Sequence, residues 1–312
     1  MKLFFCIIIT TAMLSGSLNA SSQSISDRSI HLTGDTVSMH FVVHQHYPFI
    51  ETNINGVKGL LMFDTGSGFG LTLNDAIIPL KNGKTIGRGF TGSGQSFDTH
   101  MYDTVQTVSI GGRLSVANGG PIIGFDINFM SSITSNILGM IGYQFFEGYI
   151  FKLDYKHGLI TFYKNTSERR ITKDFIKEEK VIGEIRFEQR KLVNIPVVPL
   201  ISKSDTLAVL FDTGQLGTLY LNDDLKKIWV DNGTLILPGD GSEKVNVKSL
   251  VLPGGLKTAP GNVLFSSQQN ATAHNQSIGV TEANSIALGY GFLSQYKTVW
   301  DYQARIIYLL ER

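Results

Sequence analysis

The sequence is poor in cysteine and in charge. Its 312 residues include one cysteine, Cys6, close to the N-terminus. Without that leading segment no disulfide and no cysteine-based metal site is possible, so the folded part must be held together by packing alone. Charged residues make up 17% of the chain, and its net charge is +1. This balance argues against a protein that binds nucleic acid or an anionic membrane surface through a basic patch.

Long apolar runs are also scarce, and the longest one lies at the N-terminus. Lys2 supplies a positive start, residues 3–14 are apolar, and Leu18-Asn19-Ala20 offers small residues near a cleavage point. This pattern is typical of a secretory signal peptide, and it is shorter than the roughly 18–20 residues of a membrane anchor. We expect a signal peptide over 1–20, a polar lead-in over 21–36, and a periplasmic or secreted protein without membrane attachment after cleavage.

Glycine, in contrast, is abundant, with 33 residues. Many glycines and few charges suit a β-rich protein with tight turns. The short apolar runs LLMFD (60–64) and AVLFD (208–212) are typical of buried strands. Hairpins are predicted over 151–163 and 298–309, and short helical turns after Gly142 and Gly289. The fold class that this pattern predicts is all-β, with barrel-like lobes.

The chain contains an internal repeat. Residues 48–66 and 196–214 both begin with proline and end in Phe-Asp-Thr-Gly, at an offset of 148. Residues 140–155 and 287–302 form a second matching pair, at an offset of 147. Such a nearly constant offset predicts two related lobes, over 37–166 and 181–312, each of ordinary domain size. The charged stretch 167–180 is predicted to be a solvated linker between them.

The repeat places an aspartate, Asp64 or Asp212, at the end of a buried strand in each lobe. If the lobes face each other about a pseudo-twofold axis, the two carboxylates meet. They cannot both ionise cheaply at contact distance, so the pair holds one proton. The ionised member can then take a proton from water while the neutral member donates one to a carbonyl oxygen. We therefore expect Asp64 and Asp212 to form a catalytic dyad, which could hydrolyse an amide without a metal or cofactor.

The residues after each aspartate fit this chemistry. We assign support of the dyad to Thr65, Gly66, Ser67, Thr213, Gly214 and Gln215. The glycines let the backbone turn close to each carboxylate, and the threonine hydroxyls can tie one loop to the other lobe. Ser67 can donate a hydrogen bond to Asp64. Gln215 has a longer stem with more rotamer entropy to lose, so we expect weaker support for Asp212 and faster turnover after Gln215→Ser.

These motifs resemble the pepsin and retropepsin superfamily of aspartic proteases. The segments that carry the resemblance are FDTGSG (63–68), FDTGQL (211–216) and the apolar-apolar-Gly elements at 140–142 and 287–289. The two-lobed layout is similar to pepsin, whereas residues 142–162 look more like bacterial retropepsin-like proteins. The resemblance implies a bilobal acid-protease fold with closed-barrel-like lobes and a cleft between them.

The resemblance also implies a flap, a β-hairpin that closes over the substrate. The matching segment is 84–100, with Gly92, Ser93 and Gly94 at its tip. The corresponding region of the second lobe, 237–250, is shorter, so a single flap from the first lobe is expected.

The sequence therefore predicts an exported aspartic endopeptidase that acts as a monomer on an extended peptide, with no nucleic-acid partner. The alternative is a catalytically weak or inactive pseudo-protease that binds peptides in the cell envelope. Gln215, where the resemblance implies Ser, Thr or Ala, and the lack of a flap tyrosine favour this alternative. Intact Asp-Thr-Gly in both lobes favours the enzyme.

Two further patterns suggest other chemistry. His40, His44 and His46 would share one face of a strand and could bind zinc, but no carboxylate ligand is evident nearby, so an exposed strand is the preferred interpretation. Residues 87–92 match the dinucleotide-binding glycine fingerprint but lack the helix that this fingerprint requires, so a flexible hairpin is the preferred interpretation.

Overall fold

A computed structural model describes residues 30–90, 96–201, 205–239 and 242–312. The predicted signal peptide, most of the polar lead-in and the flap tip (Gly92, Ser93 and Gly94) lie outside these ranges. The chain divides into two compact units, Met1–Glu147 and Gly148–Arg312, which we call unit 1 and unit 2.

Unit 1 consists mainly of β-strands. Its strands are β1 (Thr36–His40), β2 (Val42–His44), β3 (Tyr47–Ile54), β4 (Val57–Phe63), β5 (Leu71–Asn74), β6 (Lys84–Phe90), β7 (Ser96–Tyr102), β8 (Val105–Ile110), β9 (Leu114–Gly119), β10 (Ile122–Phe125) and β11 (Ile137–Ile141). A short helix, α1 (Tyr143–Phe146), follows β11. The main sheet has the order β6-β7-β10-β5-β11-β4-β3-β8-β9, and β2 pairs with β3.

Unit 2 contains more helix. Its strands are β12 (Tyr149–Asp154), β13 (Leu159–Lys164), β14 (Val181–Arg186), β15 (Val197–Ile201), β16 (Thr206–Phe211), β17 (Gly217–Tyr220), β18 (Leu235–Ile236), β19 (Lys244–Val247), β20 (Leu250–Leu252), β21 (Leu256–Thr258), β22 (Gly261–Phe265), β23 (Asn284–Leu288), β24 (Lys297–Asp301) and β25 (Ile306–Leu310). Its helices are α2 (Ser167–Thr172), α3 (Asp223–Asp231), α4 (Gln268–Ile278) and α5 (Tyr290–Leu293). One sheet has the order β15-β16-β23-β17-β22-β19-β18, another contains β13-β12-β24-β25-β14, and β20 pairs with β21.

The two units repeat one strand order. In unit 1, β11 lies between β4, to which it is parallel, and β5, to which it is antiparallel. In unit 2, β23 lies in the same way between β16 and β17. The order β6-β7-β10-β5-β11-β4-β3 thus matches β18-β19-β22-β17-β23-β16-β15. This correspondence agrees with the predicted all-β fold of two related parts. The strands β8 and β9 extend the sheet in unit 1, beyond the part that the two units share.

The division between the units falls before β12, whereas the sequence placed the end of the first lobe at residue 166. The reason is strand pairing: β12 pairs with β24, with Phe151 opposite Trp300, and β13 pairs with β12. These two strands come from the first sequence repeat, yet they lie in one sheet with the matching strands of the second. Repeat boundaries in the sequence do not show which sheet a strand joins.

The segment 167–180 is also more structured than a solvated linker. It includes helix α2, and Phe175 is only 1% exposed. The ring of Phe175 contacts those of Tyr163 and Tyr308, at centroid distances of 6.4 and 6.0 Å. A single aromatic residue within a charged run therefore anchors the segment to the core of unit 2. The lead-in is likewise held at its end, since Ile30 and Leu32 are buried.

The predicted local elements are confirmed. Both hairpins form, as β12–β13 and β24–β25, and the helical turns after Gly142 and Gly289 are α1 and α5. The two longer helices, α3 and α4, were not predicted from the sequence. Each begins at a capping side chain: Asn222 accepts from the backbone N–H of Leu225, and Ser267 accepts from that of Asn270. Among the described residues, no helix is long and apolar enough to cross a membrane.

Candidate functional site: two Asp-Thr-Gly turns

The first turn is fixed to the central strand of unit 1. Asp64 follows β4 directly and is fully buried. Its backbone N–H donates to the carbonyl oxygen of Ile141, the last residue of β11, across 2.9 Å. Its side-chain Oδ1 accepts from the N–H of Gly66 at 2.8 Å. Burial makes ionisation of a carboxyl costly, so this N–H donor supports the charged form where water has little access.

The second turn repeats this geometry in unit 2. Asp212 follows β16 and is 1% exposed. Its backbone N–H donates to the carbonyl oxygen of Leu288, the last residue of β23, across 3.2 Å. Its Oδ1 accepts from the N–H of Gly214 at 2.8 Å. The repeat in the sequence is thus matched by two aspartates that make the same backbone hydrogen bonds.

The glycine of each apolar-apolar-Gly element lies against the residue that follows Asp-Thr-Gly. The N–H after that glycine donates to this residue's carbonyl: Tyr143 to Ser67 across 2.9 Å, and Tyr290 to Gln215 across 2.8 Å. A Cβ at Gly142 would come within 2.8 Å of the Ser67 Cβ, and one at Gly289 would overlap the backbone oxygen of Gln215. Glycine is required here by close backbone approach. The sequence predicted the element but not this reason for it.

The turns differ in their side-chain donors. In unit 2, the Gln215 amide donates from Nε2 to Oδ2 of Asp212 at 3.0 Å. The hydroxyl of Thr218 donates to Oε1 of the same amide, also at 3.0 Å. In unit 1, Ser67 is fully buried, and its Oγ has no hydrogen-bond partner in the described part of the chain. The expected donation from Ser67 to Asp64 is therefore not found.

The contrast reverses the predicted ranking of the two donors. The glutamine side chain is long enough for its Nε2 to reach Oδ2 of Asp212, and the hydroxyl of Thr218 holds its Oε1. Sequence reasoning did not identify Thr218. The repeat itself held the signal, because an offset of 148 aligns Thr218 with Gly70, which has no side chain.

For the remaining predicted support residues, the structure shows burial but does not test the predicted contacts. Thr65 and Thr213 are fully buried, and their ties to the opposite lobe stay a prediction, as does the pairing of Asp64 with Asp212. The hairpin expected to form the flap is present as β6 and β7, paired from Lys84 opposite Met101 to Phe90 opposite Ser96. The matching strands of unit 2, β18 and β19, share only two residue pairs, in agreement with a shorter hairpin there.

An aromatic pair lies near Asp212. Tyr155 is buried, and its ring meets that of Tyr290 edge to face at a centroid distance of 5.3 Å. Burial raises the pKa of Tyr155, and the charges of Tyr290 and Asp212 raise it further. The Tyr155 phenol therefore stays neutral at any ordinary pH. Neither tyrosine was assigned a role from the sequence beyond the repeat.

The structure also places the three histidines and the described part of the glycine fingerprint, residues 87–90. His40 lies in β1 and His44 in β2, while His46 occupies a turn with a positive φ of 83°. Within the described ranges, no group of three or more His, Cys, Asp or Glu side chains is arranged to hold a metal ion. Gly87 and Gly89 lie in β6, and the next element among the described residues is strand β7, not the helix that the fingerprint requires.

Comparisons with known proteins support the fold. No protein-family model matches the chain, and no curated protein matches it by sequence. A solved structure that matches is the crystal structure of basic 7S globulin from soybean, with a TM-score of 0.52. The match covers 88% of this chain and 95% of that one at 9% sequence identity. The chain thus has an all-β, pepsin-like fold with two related units, and at this identity the likeness extends to the fold alone.

Proposed function

We propose that this protein is an exported aspartic endopeptidase in which Asp64 and Asp212 together activate the attacking water. The observation that carries the proposal is the duplicated turn. Both aspartates follow a buried strand, and both accept at Oδ1 from the glycine two residues later, at 2.8 Å. A buried carboxylate is costly, and two in equivalent positions of a repeat need a common explanation. A shared active site provides one.

The chemistry follows from one proton held between two carboxylates. The ionised aspartate removes a proton from water as the water oxygen bonds to the carbonyl carbon of the peptide. The neutral aspartate donates its proton to the carbonyl oxygen, which gives a tetrahedral diol. Collapse of the diol breaks the C–N bond, with a proton passing to the leaving nitrogen and another returning to the dyad. The products are an acid and an amine, and the pair again holds one proton.

The substrate that suits this arrangement is an extended peptide. Strand-rich units bind extended chains through backbone hydrogen bonds, and side chains then determine specificity. In this proposal the β6–β7 hairpin covers the substrate, with the tip at Gly92, Ser93 and Gly94. The signal-peptide pattern over 1–20 supports export to the periplasm or the medium.

The test is cleavage of a mixed peptide library across pH by the chain without residues 1–20. Asp64→Asn and Asp212→Asn should each reduce cleavage at least about a thousandfold, because an amide of the same shape cannot share the proton. Asp103→Asn, at an exposed residue, serves as the matched control and should keep full activity. A pepstatin-type inhibitor should block the wild-type protein.

Cleavage that survives either dyad substitution would exclude this mechanism. If the wild-type protein binds peptides but cleaves none at any pH, a peptide-binding pseudo-protease becomes the better explanation.

A further inference from the structure

A chain of hydrogen bonds leads from strand β17 to Asp212. Thr218 lies in β17 and donates from Oγ1 to Oε1 of Gln215, and Gln215 donates from Nε2 to Oδ2 of Asp212. Gln215 and Asp212 are each 1% exposed, and Thr218 is half-buried. A hydrogen-bond chain out of water is stronger than the same bonds in solvent.

The two ends of the amide are chemically different. Oε1 only accepts hydrogen bonds, and Nε2 only donates them. With Thr218 donating to Oε1, the amide presents its N–H end to the carboxylate. A donor of this kind favours the charged carboxylate over the neutral acid. Attachment at both ends also removes the entropy objection to a long side chain, because the glutamine stem is already ordered before substrate binds.

No such chain is found at the matching positions in the described part of unit 1. The positions that match Gln215 and Thr218 are Ser67 and Gly70, and the buried Ser67 Oγ makes no hydrogen bond among the described residues. Because of these two differences within the repeat, Gln215 donates to Asp212, whereas Ser67 does not donate to Asp64. The Gln215 donor favours the charged form of Asp212.

We propose that Thr218 is a positioning residue that orients the Gln215 amide toward Asp212 and so makes Asp212 the ionised partner. Asp64 then carries the shared proton, Asp212 accepts the proton from water, and Asp64 protonates the carbonyl oxygen. This inference rests on the proposed function. Within the described part of unit 2, a titratable group that interacts with the charge of Asp212 is the phenol of Tyr155, whose ring packs against that of Tyr290. Tyr155 stays neutral through the acid range, so it does not compete for the charge.

The test compares Thr218→Val, which removes the hydroxyl at constant shape, with Thr218→Ser, which keeps it. In Thr218→Val, the Gln215 amide is no longer held with its N–H toward Asp212. The ionised form of Asp212 is then less stabilised. The acid limb of the kcat profile should move up by roughly half to one pH unit, with little change in KM. Thr218→Ser should stay within about twofold of the wild type. Thermal unfolding confirms that each variant is folded, and Thr218→Ala replaces the valine variant if that one is not.

A second measurement does not depend on turnover. Hydrogen exchange of the Gln215 side-chain NH2, followed by NMR and assigned through Gln215→Glu, should be at least about tenfold faster in Thr218→Val. A pH profile and an exchange rate that both match the wild type would overturn the inference. The proposed function would stand in that case, since it is judged separately by Asp64→Asn and Asp212→Asn. If those variants show that the proposed function is wrong, unchanged exchange still counts against the Thr218 link.

Discussion

Gln215 donates from Nε2 to Oδ2 of Asp212 across 3.0 Å, whereas the equivalent residue of the first turn, Ser67, makes no side-chain hydrogen bond among the described residues. The glutamine departs from the pattern of the family that the sequence resembles. Its length suggested weak support for the aspartate, but in the fold that length lets the amide reach Oδ2 while Thr218 holds its other end. The departure is therefore compatible with catalysis.

The first prediction is that Gln215→Ser slows peptide cleavage, contrary to the expectation from sequence. A serine is too short to bridge Thr218 and Asp212, so the carboxylate loses the donor that Gln215 provides. Loss of one such donor should lower kcat by about tenfold or more. The measurement is kcat and KM across pH for both proteins. A faster serine variant would show that the glutamine restrains the site rather than supporting it.

Fixed glycines hold both turns in place. The second prediction is that Gly289→Ala destabilises the protein by about 1–3 kcal/mol, because the new Cβ would overlap the backbone oxygen of Gln215. Gly239→Ala is the matched control, since a Cβ there meets nothing within 4 Å. Urea unfolding of both variants measures the difference. Equal midpoints for the two alanine variants would mean that the backbone near Gln215 can shift without cost.

Two carboxylates of unit 2 make its stability sensitive to acid. Burial raises the pKa of Glu179, but hydrogen bonds and charges from Lys297 and Lys152 outweigh it and leave the pKa below its ordinary value. Burial likewise raises the pKa of Asp154, but the side chain and backbone of His157, with Lys297, bring the pKa below its ordinary value. A lowered pKa means that the folded state binds the proton more weakly than the unfolded state does. The stabilisation is present above about pH 5 and is lost as pH falls through the lowered values.

The third prediction is that the free energy of unfolding of the wild-type protein falls between about pH 6 and pH 3. Glu179→Gln should lower stability at about pH 6, because Lys152 and Lys297 each lose the charged Glu179 partner, and should make the fall toward pH 3 shallower. Glu178→Gln, at the exposed neighbouring residue, should change neither. Urea titrations at several pH values test this, and an equally steep fall in Glu179→Gln would assign the acid sensitivity to other groups.

The sequence predicted those parts of the fold that local patterns determine. Apolar runs gave the strands before Asp64 and Asp212, and the repeat gave the matched turns and hairpins. It did not give the allocation of β12 and β13 to unit 2, because pairing between β12 and β24 joins residues nearly 150 positions apart, such as Phe151 and Trp300. The capping residues Asn222 and Ser267 are sequence signals that could have predicted the starts of helices α3 and α4.

The site was predictable to the level of residue type but not of orientation. The repeat identified the aspartates and the residues beside them. Which end of the Gln215 amide faces Asp212 depends on Thr218, three residues further along and on the next strand. From the sequence, Ser67 was predicted to be the stronger donor and Gln215 the weaker one, because Gln215 has the longer side chain. The sequence did not show that Thr218 holds the Gln215 amide in place.

The last prediction concerns the segment 167–180, expected from its charges to be a solvated linker. In the fold, Phe175 is 1% exposed and lies among core residues of unit 2 that include Ile150 and Tyr308. Phe175→Ala should therefore destabilise the protein by about 3–5 kcal/mol, through lost burial and the cavity left behind. Ile171, in the same segment, is 84% exposed, and Ile171→Ala should change stability by less than about 0.5 kcal/mol. Both substitutions remove apolar atoms from the same charged stretch, so only burial separates them. Equal, small effects in urea unfolding would favour the linker, whereas a large effect confined to Phe175 makes this segment part of the core that supports unit 2.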